Sequence, residues 1–167
     1  MRRYHRYIQQ GIKLFGEDSK NKDQFLNVSV GGTIIRIHHP TDRRLAPLEY
    51  KPDATITSKK RKKIVFQVLD SQAGKNREIE ADMFRAFLSL EVSIIVFITD
   101  SQAAAKNVDR IWAIISENLA GYDVDDQSMP ITAALVIPRQ IRSAEEAFRH
   151  LNSKRGKLRK LIRFSLR

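Results

Sequence analysis

Two polar residues in neighbouring strand-like runs could carry chemistry in this 167-residue chain. Asp53 follows Pro52 near the start of the run 51–56, and Gln67 lies in the run 64–69 (IVFQVL), with thirteen residues between the two. The second run is almost wholly apolar, which predicts a strand that is buried on both faces. If the two runs form adjacent strands, Asp53 and Gln67 meet at one edge of a sheet.

The sequence lacks the motifs of several other kinds of catalytic site. It contains no G-x-x-x-x-G-K-[ST] loop, no G-x-G-x-x-G loop, no G-x-S-x-G elbow and no cysteine. Its histidines also lack metal-ligand spacing, and we expect structural or surface roles for all four: His5, His38, His39 and His150. Triad hydrolases and nucleotide-driven motors are therefore poorly supported.

The first third of the chain predicts a helix and then a β-hairpin. Apolar residues recur at helical spacing over 3–15, and Gly16 can end that helix. The runs 25–30 and 33–39 read as strands, and the Gly31-Gly32 turn between them predicts that they pair with each other.

The rest of the chain predicts an α/β fold. Strand 64–69 is followed by a helix from Asn76, strand 92–99, a helix from Asp100 or Ser101, and strand 131–137. This alternation predicts a three-layer sandwich with a central mixed β-sheet flanked by helices. Ser143 and Glu146 form a capping-box signature for a further short helix. We expect one domain over 1–150 and a basic C-terminal tail over 151–167.

The Pro52-Asp53 pair, the spacing to Gln67 and the elements that follow resemble the PD-(D/E)xK nuclease superfamily, whose fold is restriction-endonuclease-like. The resemblance covers roughly residues 45–120. It implies a metal-dependent endonuclease in which two carboxylates bind Mg²⁺ or Mn²⁺ and a lysine positions the attacking water. Asp53 matches the motif aspartate, whereas Gln67 takes the second carboxylate position and Leu69 the lysine position. The resemblance therefore implies a weakened metal site.

Residues nearby could replace the missing groups. Asp70 could be the second carboxylate, so the expected metal ligands are Asp53, Gln67 and Asp70. Lys75 is the first candidate for the cation, and with these three it completes the expected catalytic set. Arg77 or Arg85 could supply the cation instead, and Glu17 or Gln10 could add a ligand from the first helix.

The charge distribution predicts a nucleic-acid partner. The net charge is +11 and the pI is near 10.1, with +9 over residues 1–63, −5 over 64–140 and +7 over 141–167. Basic domains of this kind are candidate polyanion binders. The expected nucleic-acid-binding residues are the basic ones of three segments: Arg43, Arg44, Lys59, Lys60, Arg61, Lys62, Lys63, Lys154, Arg155, Lys157, Arg159 and Lys160. The tail could instead form a helix that packs on the domain or on an anionic membrane.

Three hypotheses follow. The first is a DNA-binding, metal-dependent nuclease, and the second is a catalytically inactive DNA- or RNA-binding or assembly module on the same fold. The third is an α/β protein outside this superfamily that binds RNA or a protein. We expect a cytoplasmic protein without a membrane partner, and a homodimer if both strands of a duplex are cut.

Overall fold

The computed structural model describes residues 2–18, 25–69, 76–89, 91–120 and 130–154, together with Leu158 and Lys160. The described elements, in chain order, are α1 (Arg2–Glu17), β1 (Phe25–Val30), β2 (Ile35–Ile37), β3 (Leu48–Tyr50), β4 (Ala54–Ser58), β5 (Lys63–Val68), α2 (Asn76–Leu88), β6 (Val92–Thr99), α3 (Gln102–Ala120), β7 (Ile131–Val136) and α4 (Ala144–Ser153).

A five-stranded mixed sheet with the order β1-β4-β5-β6-β7 lies at the centre of the fold. Strands β1, β4 and β5 are antiparallel, whereas β5, β6 and β7 run parallel. Helices α1 and α4 pack on one face of this sheet, and α2 and α3 pack on the other. The predicted α/β class, with a mixed sheet between two helical layers, is confirmed.

The alternation of side chains along the central strands divides the core in two. On β6, Ile94, Val96 and Ile98 face a first core with α1 and α4, while Ile95 and Phe97 face a second core with α2 and α3. Successive strand residues point to opposite faces, so a nearly all-apolar strand fits between two helical layers. This explains why the most apolar runs of the sequence form the middle of the sheet.

The predicted pairing of the runs 25–30 and 33–39 as a hairpin is wrong. Strand β1 pairs with β4, whereas β2 pairs with β3 in a separate two-stranded sheet. Gly31 and Gly32 both have positive φ angles, 69° and 68°, which direct the chain away from β1. The amide of Gly31 donates instead to the carbonyl of Asp53, at 3.1 Å, so the chain before β4 occupies the place expected for β2.

The C-terminal segment contributes to the first core. Ser143 caps α4, and its hydroxyl accepts the amide of Glu146 at 3.2 Å, as the capping-box signature predicts. Helix α4 continues to Ser153, and Leu151 is fully buried. Leu158 is only 3% exposed and packs against the sheet. At Leu158, therefore, the expected tail is anchored to the domain.

The central sheet has two opposite edges at which the predicted site residues lie. The carboxyl edge is where β5, β6 and β7 end and where Asp53 precedes β4. The amino edge is where these parallel strands begin and where the turn 58–63 joins β4 to β5. Strand β4 has five residues, so the two edges are about 17 Å apart at a rise of about 3.4 Å per residue.

Within the described ranges, no helix has both the length and the apolar character needed to cross a membrane.

Candidate functional site

Asp53, immediately before β4, lies beside Gln67 of the antiparallel strand β5 at the carboxyl edge. The amide of Asp53 donates to the carbonyl of Phe66 at 3.0 Å, and its Oδ2 accepts the amide of Val68 at 2.7 Å. The Asp53 side chain is 21% exposed. The backbone bonds on either side of Gln67 thus hold the carboxylate in one position.

Helix α1 supplies two further contacts to Asp53. His5 Nε2 lies 2.9 Å from Asp53 Oδ1, and Gln9 Nε2 donates to the Asp53 carbonyl at 2.8 Å. The two side chains are four residues apart and so share one face of the helix. Gly11 allows this helix to approach α4 closely, because a Cβ at Gly11 would lie 2.7 Å from the Cβ of Ala147.

The residues expected from the N-terminal region are not the ones that reach Asp53. Gln10 is exposed, and Glu17 is exposed at the last residue of α1, twelve positions after His5. At about 1.5 Å per helical residue this places Glu17 about 18 Å from His5 along the axis. Gln9 and His5 occupy the position at which Gln10 or Glu17 was expected.

Gln67 is held by a buried tyrosine. Gln67 is 7% exposed, and its Nε2 donates to the hydroxyl of Tyr50 at 3.1 Å. Burial raises the pKa of Tyr50 well above its usual value, and the carboxylates of Asp82 and Asp53 raise it further. Tyr50 is therefore a neutral phenol at ordinary pH.

Leu69, at the position that the resemblance assigns to a lysine, is 3% exposed and belongs to the second core. It is thus a packing residue. Asp70 and Lys75, the expected replacements for the missing carboxylate and cation, lie outside the described residues.

Asp82 of α2 adds a second carboxylate to this region. Burial raises its pKa to about 6, and the nearby charges of Asp53 and Glu78 raise it as well. Arg85 Nη1, 3.3 Å from Asp82 Oδ1, opposes that shift. Arg85, one of the cations considered as a substitute for the lysine, is therefore engaged with Asp82. Arg77 is exposed at the start of the same helix.

His5 and Asp82 are not among the site residues predicted from the sequence, which contains only weak indications of them. Asp82 lies beside the apolar stripe of α2, three residues after the buried Ile79 and one before the buried Met83. His5 follows Tyr4, the first residue of the apolar stripe of α1. Polar side chains beside an apolar stripe are common on ordinary helices, so neither position stands out before the fold is known.

The described residues bring together two of the expected metal ligands, Asp53 and Gln67, whereas the third, Asp70, lies outside them. Mg²⁺ is held by oxygen ligands in near-octahedral geometry. Asp53 Oδ1 pairs with His5, Asp53 Oδ2 accepts the amide of Val68, and Gln67 directs its amide nitrogen to Tyr50. Throughout the described ranges, no group of three or more His, Cys, Asp or Glu side chains could hold a metal.

Asp82 gives this site a pH-dependent effect on stability. Because its pKa is raised from 3.8 to about 6 in the folded protein, the folded state holds more protons than the unfolded state between these values. The contribution of Asp82 to stability is therefore highest below pH 4 and falls as the pH rises to 6. Two pKa units correspond to about 3 kcal/mol, so we expect a loss of about 1–3 kcal/mol.

The substitution Asp82→Asn removes this titration. The difference in unfolding free energy between the variant and the wild type should increase by about 1–3 kcal/mol, in favour of the variant, as the pH rises from 4 to 7. Urea unfolding of both proteins at several pH values measures this difference. A difference that stays constant over that pH range would contradict the assignment.

A second candidate surface, the basic turn 59–62, lies at the amino edge. Its residues are Lys59, Lys60, Arg61 and Lys62, and all four are exposed. The buried Ser58 orders this turn. Its amide donates to the carbonyl of Lys62 at 2.9 Å, its carbonyl accepts the amide of Arg61 at 2.9 Å, and its Oγ accepts the amide of Lys62 at 3.2 Å.

Arg61 adopts a left-handed backbone conformation, with φ at 62°. This conformation costs a residue other than glycine about 1–2 kcal/mol, because Cβ approaches the next carbonyl oxygen. A glycine would remove that cost and one of four neighbouring positive charges. The turn thus keeps four like charges in a fixed arrangement at some cost to folding.

Other predicted basic residues differ in their surroundings. Lys63 Nζ lies 2.7 Å from Glu91 Oε2 and is thus neutralised by an ion pair.

Lys160 is exposed two residues after the buried Leu158. Leu158 lines a pocket with Phe25 and Ile64, residues close to the β4–β5 turn, so Lys160 emerges near the amino edge. Lys154 is half-buried at the end of α4. Arg155, Lys157 and Arg159 lie outside the described residues.

Arg43 and Arg44 lie apart from the basic turn 59–62. They are exposed in the loop between β2 and β3, and β3 ends at Tyr50, which contacts Gln67 near the carboxyl edge. Arg44 also pairs with Asp42, at 3.1 Å between Nε and Oδ1. The predicted basic residues therefore form at least two separate surfaces.

Comparison of the chain with family models, with curated proteins and with solved structures found no match.

Proposed function

We propose that this chain is a nucleic-acid-binding protein, with DNA as its partner, whose fold belongs to the restriction-endonuclease-like class. The observation that carries the proposal is the basic turn 59–62, in which three bonds to Ser58 order four exposed cations and Arg61 is held at a positive φ. Residues kept in unfavourable backbone regions concentrate at binding sites. A polyanion would relieve the repulsion within the turn.

Phosphate groups are the polyanion that fits this surface. The four cations of the turn are exposed and adjacent along the chain, and a phosphate backbone presents a matching row of negative charges. Each lysine or arginine that neutralises a phosphate releases a condensed counterion, which favours binding. Such contacts position a nucleic acid without selecting a sequence. Lys160, near the same edge, extends the surface.

The order of elements supports the fold assignment within this proposal. An N-terminal helix precedes three antiparallel strands, β1, β4 and β5, and α2 then crosses to the parallel strand β6. This is the helix, hairpin, helix and strand succession that the resemblance implies. Asp53 and Gln67, the residues matched to the motif in the sequence, lie close together at the edge where β4 begins and β5 ends, which supports the proposal.

We favour a binding function over hydrolysis because of the side-chain contacts at the carboxyl edge. The Asp53 carboxylate and the Gln67 amide are already engaged by His5, Val68 and Tyr50, and Leu69 lies in the core. In addition, Lys59, the first residue of the basic turn, is six residues after Asp53, or about 20 Å along β4, so the turn cannot hold the phosphate that Asp53 would approach. The described side chains thus favour the second hypothesis, a catalytically inactive binding module with a nuclease fold.

Metal-dependent hydrolysis is the second candidate, and one observation favours it. Asp82 brings a carboxylate close enough to Asp53 for each charge to raise the pKa of Tyr50. Paired acidic groups of this kind, one with a strongly shifted pKa, are a feature of catalytic sites.

One experiment separates the two candidates. Supercoiled plasmid is incubated with the wild type, with Asp53→Ala and with Asp53→Asn, each in Mg²⁺, Mn²⁺ or EDTA. We expect a salt-sensitive gel shift from all three proteins and no cleavage by any of them. The asparagine variant keeps an oxygen that can accept the Val68 amide, so it controls for loss of folding in the alanine variant.

Nicking that requires metal and disappears in both Asp53 variants would establish the hydrolase instead. The absence of any gel shift, with the protein shown to be folded by circular dichroism, would overturn the binding proposal.

A further inference from the structure

Strands β2 and β3 form a short two-stranded β-ribbon beside the carboxyl edge, and the loop that joins them is largely exposed. We call this segment, residues 33–51, the β-arm. Ile35 on β2 and Tyr50 on β3 are partners in register and are both buried in the second core, and Ile37 of β2 packs against the same core. From Arg36 to Glu49, all residues are exposed except the half-buried Ile37, Asp42 and Pro47. The β-arm is thus fixed at its base and open to solvent toward its tip.

The tip of the β-arm is ordered by its own hydrogen bonds. His39 Nδ1 accepts the amides of Thr41 and Asp42, at 3.2 and 2.9 Å. Asp42 Oδ1 accepts the amide of Arg44 at 3.0 Å, and the bonds from Arg44 lower the pKa of that carboxyl. These contacts hold the loop in one shape, which reduces the entropy that binding would otherwise remove.

The exposed surface of the β-arm combines positive and apolar groups. The segment contains four basic and two acidic residues, and both acids pair within it, Asp42 with Arg44 and Glu49 with Lys51. Leu45 and Leu48 are 52% and 60% exposed. Arg43 is exposed beside them. Cations that reach phosphates or guanine edges, together with apolar groups that touch thymine methyls, are the usual contacts in a DNA groove.

We propose that the β-arm enters the major groove of a B-form DNA duplex. This inference rests on the proposed function and names the form of nucleic acid that it requires. The major groove of B-DNA is about 12 Å wide and admits a two-stranded β-ribbon, and apolar side chains there can contact thymine. The major groove of an A-form RNA helix is deep and narrow and does not admit one. The β-arm therefore distinguishes duplex DNA from duplex RNA.

The test compares two 20-base-pair duplexes of equivalent sequence, one of DNA and one of RNA, by fluorescence anisotropy at fixed salt. The arm variant carries Arg43→Gln, Leu45→Gln and Leu48→Gln, all at exposed positions. The turn variant carries Lys59→Gln, Arg61→Gln and Lys62→Gln. We expect the wild type to bind the DNA at least tenfold more tightly than the RNA. The arm variant should lose this preference, because its affinity falls for DNA alone.

The turn variant should lose affinity for both duplexes by the same factor and keep the preference. Equal loss for DNA and RNA in the arm variant would show that the β-arm contacts only phosphates, and would overturn the groove assignment. An arm variant with unchanged affinities would also overturn it, in favour of a protein occupant. Wild-type protein that binds neither duplex would overturn the proposed function itself. Thermal unfolding of each variant confirms that it is folded.

Discussion

The turn variant, with Lys59→Gln, Arg61→Gln and Lys62→Gln, should bind duplex DNA about a hundredfold more weakly than the wild type at about 0.15 M salt. Each neutralised phosphate contributes about 0.9 to the salt exponent of binding, which corresponds to about a fivefold effect per contact at this concentration. Lys60 is left in place. Anisotropy titration of a fluorescent duplex measures the loss.

A matched control separates local contact from net charge. The triple variant Lys106→Gln, Arg142→Gln and Arg149→Gln removes the same number of positive charges from exposed positions outside the basic turn 59–62 and the β-arm. Because surface charges beyond about 8 Å are screened at this ionic strength, we expect a loss below about threefold. Similar losses in the two variants would mean that the turn has no special role.

Leu158→Ala should destabilise the protein by about 2–4 kcal/mol, although Leu158 lies in the segment that reads as a basic tail. Its side chain is 3% exposed, belongs to the first core and lines a pocket with Phe15, Phe25 and Ile64. Removing a buried leucine loses the transfer free energy of three carbon atoms and leaves a cavity. Urea unfolding followed by circular dichroism gives the change in unfolding free energy.

Leu26→Ala is the control for this prediction. Leu26 is 56% exposed on β1, so its truncation should change stability by less than about 1 kcal/mol. If Leu158→Ala has as small an effect as Leu26→Ala, the C-terminal segment does not pack on the domain in solution.

The sequence was most informative where the pattern was strongest. The runs at β5, β6 and β7 are nearly all apolar, and only a sheet buried on both faces accommodates three of them between helices. The Ser143–Glu146 signature likewise predicted the start of α4, because a capping hydroxyl acts on an amide three residues away.

Strand pairing was less predictable than strand position. Alternation in β1 and β2 marks two strands, but it carries no information on their partners, and β1 pairs with β4 across more than twenty intervening residues. The pair Gly31-Gly32 suits a tight hairpin turn, yet the same positive φ angles serve here to lead the chain into the β-arm.

The candidate site was only partly predictable for a similar reason. Asp53 and Gln67 were found from local spacing, because they belong to one hairpin, β4–β5. His5 and Asp82 reach the same region from α1 and α2, and only the packing of the helices on the sheet brings them there. The basic turn was evident from its sequence, whereas its separation from Asp53 by the length of β4 required the structure.

The salt dependence of DNA binding tests the central claim most directly. The observed association constant for a 20-base-pair duplex is measured between about 0.05 and 0.3 M salt for the wild type, the turn variant and the charge-matched control. We expect the slope of log K against log salt to become shallower by about 2.7 in the turn variant, because three phosphate contacts are lost. The control should keep the wild-type slope. Equal slopes in the turn variant and the wild type would contradict the claim that the basic turn 59–62 binds the phosphate backbone.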